Sequence, residues 1–272
     1  MPAGGRGHPG ARAVARPVGS GGGAQTERRS GEHRTYPLWL SAVPTIAILP
    51  IKSFGAAKQR LSGALAGSSR KALAEAMFSD VLAALRDAPG LHEVVVVTAS
   101  RPAGDIARGD GVSVIHDIEE SGQSAAAGLG IRHALDAGHD RVLLVPGDTP
   151  LLEADELTAM LDRAAADGIA ATIVPDRHGE GTNALLLSPP TAIEPGFGPG
   201  SLARHVARAR AAGVSHRVED LAGLMLDIDT PEDLAALTAT LDGLDGGAPR
   251  TRAALAGLGD PSARPPPAQV RN

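Results

Sequence analysis

Arg141-Val142-Leu143-Leu144-Val145-Pro146-Gly147-Asp148-Thr149-Pro150 is the stretch on which the fold turns. Its four consecutive apolar residues run straight into a proline–glycine pair. A strand with one wet face would alternate apolar and polar, so this one is buried on both faces. It also delivers a carboxylate, Asp148, at its carboxyl end. The same arrangement recurs on either side. Upstream, residues 45–51 read as a first buried strand. A helix follows over about 69–86, where Leu73, Met77, Val81 and Leu85 recur every fourth residue. Val94-Val95-Val96-Val97 is a second strand, bounded by Pro89-Gly90 and Pro102, and 112–115 a third. A small-residue helix over 124–138 leads into the stretch quoted first. Downstream, helices are predicted near 154–166 and 200–212, with strands at 170–175 and 184–187. Residues 224–228 are expected to complete the sheet, and Pro231 to open a last helix reaching 241. Buried strands separated by helices predict an α/β domain, a mostly parallel central sheet flanked by helices.

Charge divides the 272-residue chain into a body and two tails. Residues 1–42 hold six Arg against Glu27 and Glu32, with nine Gly and little apolar pattern. Residues 246–272 hold four Arg against Asp260 and include Pro265-Pro266-Pro267. The tails carry +4 and +3 of a formal −5, which leaves −12 on residues 43–245. Both tails are expected to be disordered and the acidic body to be one domain. An acidic body excludes a duplex nucleic-acid binder, whose affinity comes from neutralising phosphates. No apolar run approaches the roughly 20 residues of a membrane span, so no membrane partner is expected. The absence of Cys excludes disulfide frameworks, thiolate metal sites and thiol nucleophiles. Arg28-Arg29 precedes an apolar stretch like an export leader, but Pro44 and Pro50 interrupt it and no small-residue cleavage site follows. A cytoplasmic protein, monomer or homodimer, is expected.

Ligands of such sheets bind beyond the carboxyl ends of the strands. After the first strand come Lys52, Lys58 and Arg60, two of the chain's three Lys in one loop. A cationic strand-to-helix loop suits a polyphosphate, although a solvated charged turn has the same composition. It is not a Walker A loop, since no Gly-Lys-Ser/Thr follows a spaced glycine. Asp148 follows the fourth strand, and Asp227 and Asp229 share one face of the last predicted strand. Three carboxylates there would make an oxygen-rich Mg²⁺ site. Read singly, Asp148 is a turn former and Asp229 or Thr230 a helix cap. Gly179-Glu180-Gly181-Thr182-Asn183 and Gly196-Phe197-Gly198-Pro199-Gly200-Ser201 offer backbone N–H groups and a helix start to an anion, or are merely flexible turns. Of the nine His, only His178 and His205 lie near these segments.

In this order, the 50–61 loop, Pro146-Gly147-Asp148, Gly181-Thr182, Phe197-Gly198-Pro199-Gly200-Ser201 and Asp227-Ile228-Asp229-Thr230-Pro231 resemble the CofC/FbiD guanylyltransferases, over about residues 45–241. The resemblance implies a single-domain GT-A-like nucleotidyltransferase fold. It implies transfer of GMP from GTP to phosphoenolpyruvate, 2-phospho-L-lactate or 3-phosphoglycerate in the route to coenzyme F-420, with phosphoenolpyruvate the expected acceptor. By the same resemblance Lys52, Lys58 and Arg60 meet the triphosphate, and Asp148, Asp227 and Asp229 hold Mg²⁺. Thr182, Gly198 and Ser201 hold the acceptor. Nucleotide contacts fall at Gly122, Gln123 and Ser124, where relatives commonly show Gly-Leu-Asn. Two rivals stand beside this reading. Molybdenum-cofactor or sugar-phosphate nucleotidyltransferases normally carry a Gly-rich first loop, absent here. A non-catalytic nucleotide-binding module would need no acidic metal site.

Overall fold

The computed structural model describes residues 43–54 and 58–258. In chain order the elements are β1 (Thr45–Pro50), α1 (Gly67–Asp87), β2 (Glu93–Thr98), α2 (Arg101–Gly109), β3 (Ser113–His116), α3 (Gln123–Asp136), β4 (Arg141–Leu144) and α4 (Ala154–Ala166). They continue with β5 (Ala171–Pro175), β6 (Thr182–Leu187), α5 (Ser201–Ala212), β7 (His216–Val218), α6 (Ala222–Met225), α7 (Pro231–Asp242) and α8 (Pro249–Leu258). The seven strands form one sheet in the order β3-β2-β1-β4-β6-β5-β7. Only the two pairings made by β6, with β4 and with β5, are antiparallel. The mostly parallel sheet flanked by helices is thus present.

Strand alternation sets the layers. Ala47, Leu49, Val96 and Leu143 point to one face, where Phe78, Val81, Leu82 and Leu85 of α1 and Leu157, Met160 and Leu161 of α4 cover them. Ile46, Ile48, Val95, Val97, Val142 and Leu144 point to the other, covered by Ala126, Ala127, Ile131 and Ala134 of α3 and Ala209 of α5. Apolar side chains on both faces of one strand are what turned four consecutive apolar residues into a strand signal.

Two expectations are corrected. Residues 224–228 do not complete the sheet. Ala222–Met225 is a short helix, and the sheet instead ends on β7, three residues paired in parallel with β5. A β-carbon on Gly223 would lie 2.6 Å from the Leu151 carbonyl oxygen and 2.9 Å from the Leu152 Cα, an approach only glycine allows. Beyond α6 the chain is extended, with Leu226 and Ile228 buried against Leu61, Leu73 and Met77. The apolar alternation is real, but it serves a side core rather than a ladder. The second correction concerns the trailing tail. Order continues past residue 245 through α8, which packs on α1; Ala248, Ala254 and Leu255 join the side core. The Asp80 carboxylate of α1 accepts from the backbone N–H of Thr251 (2.7 Å) and of Arg250 (3.2 Å), satisfying two of the first free donors of α8. The basic extension expected over residues 1–42 lies outside the described residues. Among the described residues, no helix is long and apolar enough to cross a membrane.

Candidate active site

The sheet order reverses at β1. The chain moves outward through β2 and β3, then returns to place β4 on the other side of β1. Such a reversal opens a crevice at the carboxyl ends of the two central strands. A cavity of about 580 Å³ opens there, lined by Ile51, Lys52, Lys58, Gly122, Gln123, Gly147, Asp148 and Asp229, with Asp117 and Glu120 on its wall. Gly147 packs tightly here. A β-carbon there would stand 2.4 Å from the Ile51 Cδ1 and 3.2 Å from the Phe78 ring, so a larger residue would have to displace the Ile51 side chain.

Lys58 is the centre of charge. Its side chain is 6% exposed, and its ammonium donates to the Asp148 carboxylate and, at 2.9 Å, to the Asp229 Oδ1. Burial works against that charge, but the two carboxylates outweigh it and hold the lysine well above its ordinary range. Asp227 stands alongside, its Oδ1 accepting from the Asn183 side-chain amide at 3.1 Å. Burial, then the neighbouring Asp148 charge, pushes its carboxyl up to about 6. Asp148 keeps one buried oxygen, Oδ1, without a hydrogen-bond partner. Among the described residues no three acidic or imidazole groups stand arranged as a ready metal cage. Even so, one unsatisfied carboxylate oxygen beside two more carboxylates is the donor set a hard divalent cation takes. The residues fit Mg²⁺.

A second subsite lies where β6 runs against its neighbours. Because β6 is antiparallel, its first residue lies at the carboxyl end of β5, with Thr182 opposite Pro175. Thr182 is buried, and its hydroxyl is 2.9 Å from the Nδ1 of His205 on α5. The same imidazole accepts at Nε2 from the Gly196 backbone N–H at 2.9 Å. Ser201, the first residue of α5, is 1% exposed, and its hydroxyl has no hydrogen-bond partner. Gly198 has φ of 101°, a left-handed conformation that turns the loop into the helix start. The two subsites are joined twice. Ser124 accepts from the Phe197 N–H at 3.0 Å, and Asn183, beside Thr182, donates to Asp227.

The sequence-predicted residues are thus gathered into neighbouring groups. Lys52, Lys58, Gly122, Gln123, Asp148 and Asp229 line the cavity; Asp227 adjoins it; Thr182, Gly198 and Ser201 surround the second subsite. Ser124 serves the junction. Arg60 stands apart, exposed on a single 3₁₀ turn (Gln59–Leu61) and not in the cavity lining. The alternative reading of the last acids is resolved residue by residue. Thr230 is the cap of α7, forming a capping box with Asp233, whereas Asp229 turns to Lys58. Sequence reading gave no role to three residues near the site. Asp117 follows β3, so the strand-end rule applied there would have found it. Asn183 sits beside the chosen Thr182. His205 lies one helical turn after Ser201, hence on the same side of α5.

A crevice at a sheet's switch point, lined by Lys52, Lys58, Asp148 and Asp229, is the ligand place of this fold, and with the likenesses that follow the class is a GT-A-like nucleotidyltransferase. In solved structures the fold is shared by a Desulfovibrio desulfuricans protein described as a nucleotide-diphospho-sugar transferase, at a TM-score of 0.63 and 19% identity, covering 79% of this chain and 94% of that one. The model of the guanylyl transferase CofC-like family matches residues 45–247, and the chain belongs to that family. It is 46% identical over 211 residues to a phosphoenolpyruvate guanylyltransferase of Conexibacter woesei, covering 78% of this chain and 95% of the relative. It is 35% identical over 196 residues to a 2-phospho-L-lactate guanylyltransferase of Methanothermobacter thermautotrophicus, covering 71% and 83%.

Proposed function

We propose that this protein transfers GMP from GTP to phosphoenolpyruvate, releasing pyrophosphate, as a cytoplasmic step toward coenzyme F-420. The observation that carries the reading is the juxtaposition of an acid–lysine cluster at the β1–β4 crevice with a buried, unpartnered Ser201 hydroxyl at the start of α5. The first suits a triphosphate and the second a small anionic acid. The name of the Conexibacter relative supports phosphoenolpyruvate as that acid.

The chemistry follows from charge. An oxygen of the acceptor phosphate attacks the α-phosphorus of GTP, and the bond to the β-phosphate oxygen breaks, so that pyrophosphate leaves with the electron pair. The attacking oxygen is already anionic, so no general base has to remove a proton. What the protein must overcome is repulsion between two anions, by neutralisation and in-line alignment. Lys52 and Lys58 would neutralise the triphosphate, while Gly122 and Gln123 bound the nucleotide side of the cavity. Asp148, Asp227 and Asp229 would hold Mg²⁺, which supplies further neutralisation of the phosphates when bound. Thr182, Ser201 and the Gly198 backbone would hold the acceptor, fixing its phosphate toward the crevice.

Purified protein with GTP, Mg²⁺ and equimolar phosphoenolpyruvate, 2-phospho-L-lactate and 3-phosphoglycerate tests this, read by mass spectrometry of the guanylated products. The enolpyruvoyl product should dominate. A dominant lactyl or glyceryl product would replace the acceptor; no guanylated product from any of the three would refute the reaction.

A further inference from the structure

His205 has no assigned role, yet one fully buried imidazole bridges the two segments of the second subsite. A backbone N–H can only donate, so the bond from Gly196 to Nε2 requires a lone pair on that nitrogen. The proton of a neutral ring must then sit on Nδ1, which donates to the Thr182 hydroxyl oxygen. Thr182 is thereby an acceptor toward the protein. Its own hydroxyl proton has no acceptor among the described residues and is left to donate outward. The neighbouring Ser201 hydroxyl is likewise buried and unclaimed. Two donors, Thr182 at the start of β6 and Ser201 at the start of α5, suit an anion and would be wasted on a cation.

We propose that His205 is a positioning residue for the acceptor: its neutral Nδ1–H tautomer, fixed by the Gly196 amide, commits the Thr182 hydroxyl to donate to a small anionic acid. This rests on the reading of Thr182 and Ser201 as the acceptor subsite. Several surrounding features keep the ring neutral. It is buried, and α5 carries Arg204 directly before it and Arg208 one turn after it, whose guanidinium groups are engaged with the Gly196 and Pro199 carbonyls and with the Glu194 carbonyl. Burial first, then these two charges, lowers the imidazole to about 4. The ring edge also packs on Phe197, at 5.5 Å between centroids and 74° between planes, which fixes its orientation.

Steady-state kinetics of His205→Gln, Thr182→Val and the double variant, with ¹⁵N spectra of the unaltered protein, decide the matter. His205→Gln should raise the acceptor KM by roughly tenfold or more, the worth of a hydrogen bond to a charged group. The GTP KM should stay within about twofold, since only acceptor binding is lost. If His205 acts through Thr182, the double variant should match Thr182→Val alone. The ¹⁵N spectrum should show a ring protonated at Nδ1 only, assigned by its loss in His205→Gln. Equal rises in both KM values, additive effects in the double variant, or an Nε2–H or doubly protonated ring at neutral pH would each overturn the inference. If His205→Gln does not fold, the spectrum of the unaltered protein decides. Should the unaltered protein guanylate none of the three acids, the proposed function falls; turnover with an unmoved acceptor KM in His205→Gln removes this inference alone.

Discussion

At Asp148, exchanging one carboxylate oxygen for an amide changes charge while leaving shape nearly intact. Asp148→Asn should therefore lower turnover at least about a hundredfold, the scale of losing one electrostatic partner of a transition state. Its thermal unfolding should remain cooperative, and unaltered turnover at limiting Mg²⁺ would make Asp148 a turn residue only. His205 offers a residue-scale test that needs no substrate. Its ring titrates near 6.5 in the unfolded chain and near 4 in the fold, chiefly because burial disfavours the charged form. Between those values the unfolded state binds the extra proton, so stability falls as pH falls, by about 1.4 kcal/mol per unit from this group alone. Below the lower value both states are protonated and the loss levels off. Urea unfolding between pH 7 and 4 should show this slope in the unaltered protein and lose it in His205→Gln. An equal slope in both would place the acid sensitivity elsewhere. The cavity-lining residues legible in sequence were those that directly follow a strand: Lys52 and Lys58 after β1, Asp148 after β4. Thr182 needed more, because its place at the site depends on β6 running backward, and pairing direction leaves no mark in a short apolar run.

Helix α8 shows what composition misses at the level of an element. Its segment is rich in Arg and Ala and stands next to a proline run, so it reads as tail; the apolar side chains it contributes are few. What orders it is the Asp80 carboxylate at its amino end and the α1 surface beneath it. Ending the chain at Leu258 should leave the melting temperature unchanged, whereas ending it at Asp245 should lower it. Asp80→Ala should lower stability by about 0.5–2 kcal/mol, the usual cost of a lost cap. Equal melting temperatures for the two shortened chains would mean that α8 adds nothing. Helix α2 escaped sequence reading for a related reason: its buried face is made of the small residues Ala103, Gly104 and Ala107, and over nine residues it is too short and too slight to stand out as an apolar stripe. Its start was nonetheless written there, since the Ser100 side chain caps it and Pro102 lies in the first turn. α4 announced itself plainly, because Leu157, Met160, Leu161 and Ala164 recur on one face between charged residues. The strand β7 is three residues with none buried, too short and too polar for any periodicity to reveal.

Across the molecule, the direction of the strands divides the labour. The parallel run β3-β2-β1-β4 carries the crevice with Lys58 and Asp148, while the β5–β6 hairpin and α5 carry Thr182 and Ser201. The halves meet at the β4–β6 pairing, where Asn183 on one reaches Asp227 and where the 226–229 segment is hydrogen-bonded back to Asp148 through the Ile228 N–H. In a body of net charge −12, two anionic substrates cannot be gathered by the overall field. On the proposed reading they would depend on local cations and N–H groups, supplied separately by each half. Each substrate should therefore bind its half in the absence of the other. Hydrogen exchange with a non-hydrolysable GTP analogue and Mg²⁺ should slow amides of the loop after β1 and of the start of α3. Phosphoenolpyruvate alone should slow those of Gly196, Gly198 and Ser201, because ligand contact suppresses local opening where it occurs. If the analogue protects only the hairpin side, or the acid protects nothing until nucleotide is present, the two halves are not separate subsites and the acceptor pocket is assembled by the nucleotide.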